Sequence, residues 1–115
     1  FPADNFTQLS AGSGHACALD PNQRAVCEGS NSFGESDPPP SPRFVDIAAG
    51  DDHTCGVRPD GQVECWGSDV FGESSPPDAR FRSVSADNDY TCGVTRAGRT
   101  VCWGSGSNGQ TTPLP

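Results

Sequence analysis

The stretch AGDDHTCGVRPDGQVECWGSDVFGE, Ala49 to Glu73, decides the fold. At its middle stands Pro59-Asp60-Gly61. Pro presets φ for the first turn position and Gly takes positive φ without a Cβ penalty, so the triplet predicts a tight turn. The flanks, His53 to Val57 and Gln62 to Trp66, read as short strands. With the turn centred on Asp60, Val57 faces Val63 and Cys55 faces Cys65. Opposed Cα atoms of antiparallel strands lie ~4.5–5.5 Å apart, within disulfide reach. Upstream, Phe44 to Ala48 alternates, with Phe44, Asp46 and Ala48 on one side and Val45 and Ile47 on the other, and predicts a further strand. Ala49 to Asp52 is the turn between them. Downstream, Ser68 to Pro77 is a Gly-, Ser- and Pro-rich connection with room for one very short outer strand.

The same pattern occurs three times. Cys17, Cys55 and Cys92 are spaced by 38 and 37 residues, as are Cys27, Cys65 and Cys102. Phe6, Phe44 and Phe81 open the units; Leu9, Ile47 and Val84 follow; His15, His53 and Tyr90 precede each first cysteine by two. Gly29, Gly67 and Gly104 follow each second cysteine, and Pro38, Pro76 and Pro113 close the units. The expected boundaries are 6–43, 44–80 and 81–115, within one domain of 115 residues. The outer copies carry the departures. Glu28 stands for Trp66 and Trp103, Gln23 for Gly61 and Gly98, Asp87 for Gly12 and Gly50, and Asn108 for Phe33 and Phe71.

The hairpin construction selects one cysteine pairing: Cys17 with Cys27, Cys55 with Cys65, and Cys92 with Cys102. Each bridge closes a loop of about 11 residues, worth roughly 2–3 kcal/mol in the chain-entropy description. Six cysteines in so short a chain imply an oxidising, secreted or cell-surface location. The sequon Asn5-Phe6-Thr7 makes Asn5 a candidate N-glycosylation site in the same setting.

Composition narrows the class. The chain holds 14 Gly and 11 Pro, its apolar share is 32%, and its net charge is −8. Turn-formers and short alternating runs predict an all-β fold. The acidic balance argues against nucleic acid and anionic membranes, both of which select basic surfaces. No window approaches the ~20 apolar residues of a membrane-spanning helix. The chain opens on Phe1 with no charged-then-apolar leader, and reads as a mature or excised piece.

The shared string A-G-x-x-H-x-C-x-V-x-x-x-G-x-V-x-C-W-G-x-x-x-x-G-E, cleanest in Ala49 to Glu73, resembles the RCC1-like β-propeller repeat. It looks most like the short, cysteine-paired extracellular form of crinkly-type plant receptor ectodomains and of secreted microbial proteins. The resemblance implies one blade per unit, about seven blades in a full ring, and protein binding through loops on one ring face. Three blades are too few to close a ring. They imply an excised piece, a ring completed by several chains, or an open stack whose edge strands self-associate.

His15 and His53 recur at one structural place, which suits packing and a buried hydrogen bond rather than catalysis. A zinc site lacks the close C-x₂₋₄-C pair. The turns Asp51-Asp52 and Asp87-Asn88-Asp89 hold oxygens that calcium favours, but no D-x-D-x-D-G ligand order. Trp66 and Trp103 read as core, with Gly56 and Gly93 leaving room for their indoles; sugar stacking is the alternative. Asp37 to Pro42 reads as a polyproline II linker. No nucleophile elbow, zincin helix or phosphate loop is present.

The sequence thus predicts an all-β protein of three propeller-type blades, each closed by a hairpin disulfide, with no cofactor, no metal and no enzymatic activity. Its expected role is an extracellular binding or structural module that assembles with itself through open blade edges, as oligomer or filament. The alternatives are a soluble recognition domain for a protein or glycan, and a fragment of a longer propeller. Asp51, Asp52, Asp87 and Asp89 form its candidate binding rim, suited to a basic partner.

Overall fold

The computed structural model describes residues 6–39, 43–69 and 72–104. Among them are three three-stranded antiparallel sheets, each a simple up-and-down meander. The first holds β1 (Gln8–Ala11), β2 (His15–Leu19) and β3 (Ala25–Gly29). The second holds β4 (Asp46–Ala49), β5 (His53–Val57) and β6 (Val63–Gly67). The third holds β7 (Phe81–Asp87), β8 (Tyr90–Thr95) and β9 (Thr100–Gly104). The sheets stand side by side as an open array, with β1, β4 and β7 in successive contact.

Within each hairpin the register follows from the turn. Arg58 donates its amide to the Gln62 carbonyl at 2.8 Å, and Gly61 donates to Arg58. Antiparallel pairs alternate between hydrogen-bonded and closer non-bonded sites. Counting back from 58/62, positions 56/64 and 54/66 are bonded pairs, so 55/65 is a close pair. Cys55 and Cys65 face each other there with Cα atoms 4.0 Å apart. Cys17–Cys27 and Cys92–Cys102 repeat the arrangement at 4.1 and 4.0 Å.

Three details differ from the sequence reading. The first strand of the middle unit starts at Asp46, not Phe44, because the Phe44 amide bonds at 2.8 Å to the Gln23 carbonyl of the preceding sheet. The third strand runs Val63–Gly67, since Gln62 closes the turn. No outer strand forms among the described residues of 68–77, where Asp69 and Gly72 carbonyls instead close successive turns. The linker reading of Asp37 to Pro42 falls partly outside the described residues, as do Phe71, Asn108 and Pro113.

Strand alternation gives every sheet a cysteine face and an opposite face, which carries Trp66 in the second sheet and Trp103 in the third. The cysteine face of one sheet packs on the tryptophan face of the next. Cys17 and Leu19 meet Phe44, Ile47 and Trp66; Cys55 and Val57 meet Phe81 and Trp103. Phe44 and Phe81 are fully buried, which contributes roughly 2–3 kcal/mol each. The glycines opposite serve these phenylalanines, not the indoles. A Cβ on Gly56 would lie 2.4 Å from Phe44 Cδ1, and one on Gly93 2.5 Å from Phe81 Cδ2. The tryptophans pack beyond, with ring centroids 5.6 Å from each phenylalanine.

Gly61 takes φ 91° in its turn and offers its carbonyl to the Phe81 amide. Gln23 does the same for Phe44, but at φ 65° with a side chain attached. Left-handed backbone costs an L-residue about 1–2 kcal/mol, part of which glycine's greater unfolded freedom offsets. Gln23→Gly is therefore expected to raise stability by about 0.5–1 kcal/mol, read as a higher urea midpoint at unchanged slope.

Candidate functional site

Two regions bring functional side chains together: the buried joint between successive sheets, and the rim formed by the first turn of each unit. The joint is a four-member polar network inside an apolar interface. Thr54 donates its hydroxyl to the Glu35 carbonyl at 2.9 Å, and Trp66 donates its indole N–H to the same oxygen at 3.0 Å. His15 Nε2 lies 2.8 Å from Thr54 Oγ1. The next joint repeats it. Thr91 and Trp103 donate to the Glu73 carbonyl, both at 3.1 Å, and His53 Nε2 lies 2.8 Å from Thr91 Oγ1.

This arrangement assigns the tautomers. Each threonine has one hydroxyl proton, spent on the glutamate carbonyl, so its oxygen accepts from the imidazole. Nε2 therefore carries a proton in each, and neither Nδ1 has a hydrogen-bond partner among the described residues. His53 is fully buried, and desolvation holds its pKa below the ordinary 6.5, against opposing pulls from Glu73, Asp89 and Asp51. A buried imidazole held neutral in this way is a structural strut. The glutamates are anchored in their own turns: Glu35 Oε1 accepts the Phe33 amide at 2.9 Å, and Glu73 Oε2 accepts the Ser68 hydroxyl at 3.4 Å.

At the rim the three turns stand side by side. Ser13 donates to the Asp51 carbonyl at 3.4 Å, and the Asp51 amide donates to the Asn88 carbonyl at 3.3 Å. Asp51, Asp52 and Asp89 are half-buried and Asp87 is exposed. Asp87 Oδ1 accepts the Asn88 amide at 2.9 Å, a local turn bond.

Other candidates are placed elsewhere. All six cysteines are in disulfides. Trp66 and Trp103 are only 9% and 8% exposed, so their faces are not open to a sugar. No group of three metal-ligating side chains converges among the described residues. Asn5 lies outside the described residues. The sequence reading gave no role to Thr54 and Thr91, or to the carbonyls of Glu35 and Glu73. Recurrence of Thr two residues after an acidic turn, and of Gly-Glu at 34–35 and 72–73, was the available signal.

Disulfide-closed meanders stacked face to face through aromatic joints are blades of a β-propeller. The chain belongs to the RCC1 repeat family: the family model for the regulator of chromosome condensation (RCC1) repeat matches residues 6–35 and 44–73. The third sheet repeats the same pairings, Cys92 with Cys102 and Thr91 with Trp103. Among solved structures, the crinkly ectodomain of the Arabidopsis thaliana receptor kinase ACR4 is similar at 32% identity and TM-score 0.78, over 98% of this chain and 40% of that one. The ectodomain of the Physcomitrella patens receptor kinase CR4 is similar at 27% identity and TM-score 0.75, over 89% of this chain and 31% of that one. Prp20p of Saccharomyces cerevisiae, described with binding properties to Gsp1p and histones, shares the fold at 20% identity and TM-score 0.76, over 88% of this chain and 33% of that one. The chain thus spans well under half of these proteins. A search of curated proteins returned no match.

Two outcomes test the joint. Thr91→Val keeps the shape but leaves the buried His53 N–H without its acceptor. It should cost about 1–3 kcal/mol in chemical denaturation, more than the same change at an exposed threonine. Because the folded state holds His53 neutral, the unfolded state binds more protons just below pH 6.5, so stability is complete above that pH and falls as pH drops. Thermal melts between pH 7.5 and 5.5 should show this decline, reduced in His53→Gln.

Proposed function

We propose that this chain is a non-catalytic, extracellular part of a longer RCC1-type propeller, and that it recognises a protein through its turn rim. The observation that carries the reading is the alignment of the three first turns into one continuous edge, bearing Asp51, Asp52, Asp87 and Asp89. That edge suits a basic surface, since clustered like charges raise encounter rates with an oppositely charged partner. Prp20p, which shares the fold, binds Gsp1p and histones, and this supports a protein partner for the chain.

The extracellular assignment rests on the disulfides, which persist in oxidising compartments, and on the two receptor ectodomains among the similar structures. The non-enzymatic reading rests on the state of the obvious reactive groups. The two imidazoles are enclosed in joints and the thiols are oxidised. That the chain spans 40% of the ACR4 ectodomain chain supports further blades as what completes the ring.

The rim is tested by charge-matched variants. Asp51, Asp52, Asp87 and Asp89 are changed together to Asn. In a control, Glu28, Asp37, Asp60 and Asp78, all exposed, become the corresponding amides. Both remove four negative charges and so shift the net charge of −8 equally. Surface plasmon resonance against lysine-rich peptides should show a loss of about tenfold or more for the rim variant and a much smaller one for the control. Equal losses would reduce the rim to general charge and remove the proposal.

A further inference from the structure

The chain sorts its charges by end. All seven basic residues are arginines, and all stand at the end of the sheets that carries the hairpin turns, away from the acidic rim. Strands of five residues at about 3.3 Å each put roughly 17 Å between the two ends. That is about two Debye lengths at physiological salt, so each end presents its own charge to a partner.

The arginines gather at the joint between the second and third sheets. Arg58 follows β5, Arg80 and Arg82 flank Phe81 at the start of β7, and Arg96 and Arg99 lie in the turn between β8 and β9. Backbone bonds hold these segments together: Phe81 donates to the Gly61 carbonyl at 2.7 Å, and Arg96 to the Arg80 carbonyl at 2.9 Å. The Arg96 guanidinium lies across the middle turn. Its Nη2 donates to the Pro59 carbonyl at 3.0 Å, and a Cβ on Gly61 would meet its Cζ and Nε at 3.0 Å. Asp60 shows what this place accepts. Its exposed carboxylate lies 3.9 Å from Arg58 Nε. The Gln62 amide, and after it the charges of Arg58, Arg80 and Arg96, hold its pKa below the ordinary 3.8.

One carboxylate does not balance the group. Arg80, Arg82, Arg96 and Arg99 are exposed and in no ion pair among the described residues. Glu64 is paired with Arg58, and Asp46 is half-buried and accepts the Val84 amide at 3.0 Å. Those four arginines therefore stand against Asp60 and Asp78, a local surplus of positive charge on a chain of net charge −8. Residues 105–115 carry no charged side chain. The fold itself does not require the cluster. Asp20 and Thr95 stand in the place of Arg58, Thr7 and Val45 in that of Arg82, and Pro21 and Pro59 in that of Arg96. The first joint packs in the same way without them.

We propose that this joint is a docking site for an acidic segment of a partner protein, whose Asp or Glu side chains take the free donors of Arg80, Arg82, Arg96 and Arg99. A guanidinium holds a carboxylate through two parallel N–H bonds, a geometry that lysine does not offer. The site is compact, because Asp20, Asn22 and Val45 interrupt the basic edge at the first joint. A long polyanion such as a sulfated polysaccharide gains little beyond the joint and meets an acidic chain on either side. The inference concerns the end opposite the rim and does not rest on it.

The experiment uses the full oxidised chain and a fluorescent oligoglutamate peptide, followed by anisotropy at low and physiological salt. Arg80→Gln/Arg96→Gln should weaken binding by about tenfold or more. Arg24→Gln/Arg43→Gln, also exposed and of equal charge change, should weaken it far less. Asp60→Asn should tighten binding about two- to fivefold, since it frees the guanidiniums while Asn22 already fits the same turn position in the first unit. Asp37→Asn, exposed and remote, should not. Equal losses for the two arginine pairs would overturn the proposal, as would a wild type that does not bind at low salt. Dextran sulfate binding more tightly than oligoglutamate, with the same dependence on Arg80 and Arg96, would replace the acidic protein segment with a general polyanion. The Arg80 side chain makes no hydrogen bond among the described residues, so Arg80→Gln alone reads the loss even where the double variant fails to fold. Binding of lysine-rich peptides at the rim is measured separately, and its failure leaves every one of these outcomes unchanged.

Discussion

One carbonyl oxygen per joint holds this array together. The Glu35 oxygen takes two protons from the next sheet, the Thr54 hydroxyl and the Trp66 indole, and Glu73 does the same with Thr91 and Trp103. Packing alone would let the faces slide, since apolar contact is not directional. Two donors converging on one fixed acceptor set the register between sheets. The histidine completes the set by donating to the threonine, so every polar proton of the network has an acceptor. In a low-dielectric interface such a network is costly to disrupt, which makes the joint specific as well as stable.

The disulfides answer a different need. A unit of about 40 residues is at the size where a core alone seldom suffices, and a staple is the usual remedy. Here the staple also forms the surface on which the next sheet lies. Cys17 and Leu19 form the floor under Phe44 and Trp66, and Cys55 and Val57 the floor under Phe81 and Trp103. Local closure and neighbour packing thus use the same atoms. An array built this way behaves as a one-dimensional chain of nearest-neighbour contacts.

Much of this was legible in the residues. The turn at Pro59-Asp60-Gly61 dictates the opposition of Cys55 and Cys65, because a hairpin register follows from its turn. The repeat then carries that result to the other two units. The joint was not legible in the same way. Its acceptors are backbone carbonyls, which no side-chain pattern announces, and its donors come from the next unit, 18 to 31 residues further along the sequence. The role of Gly56 was misassigned for a related reason. A glycine signals that something approaches closely, but only the fold reveals that the visitor is Phe44 and not the indole. The rim shows the same limit: its charges were visible in sequence, its continuity only in space.

The most direct measurement is hydrogen exchange at the two indole Nε1–H groups, followed by NMR on the oxidised chain. If the joints bind the sheets into one cooperative unit, both indole protons exchange as slowly as the central amides of the strand His53–Val57, through global unfolding alone. Indole protons that exchange quickly while those amides stay protected would show sheets folded singly but not joined, and would contradict the account.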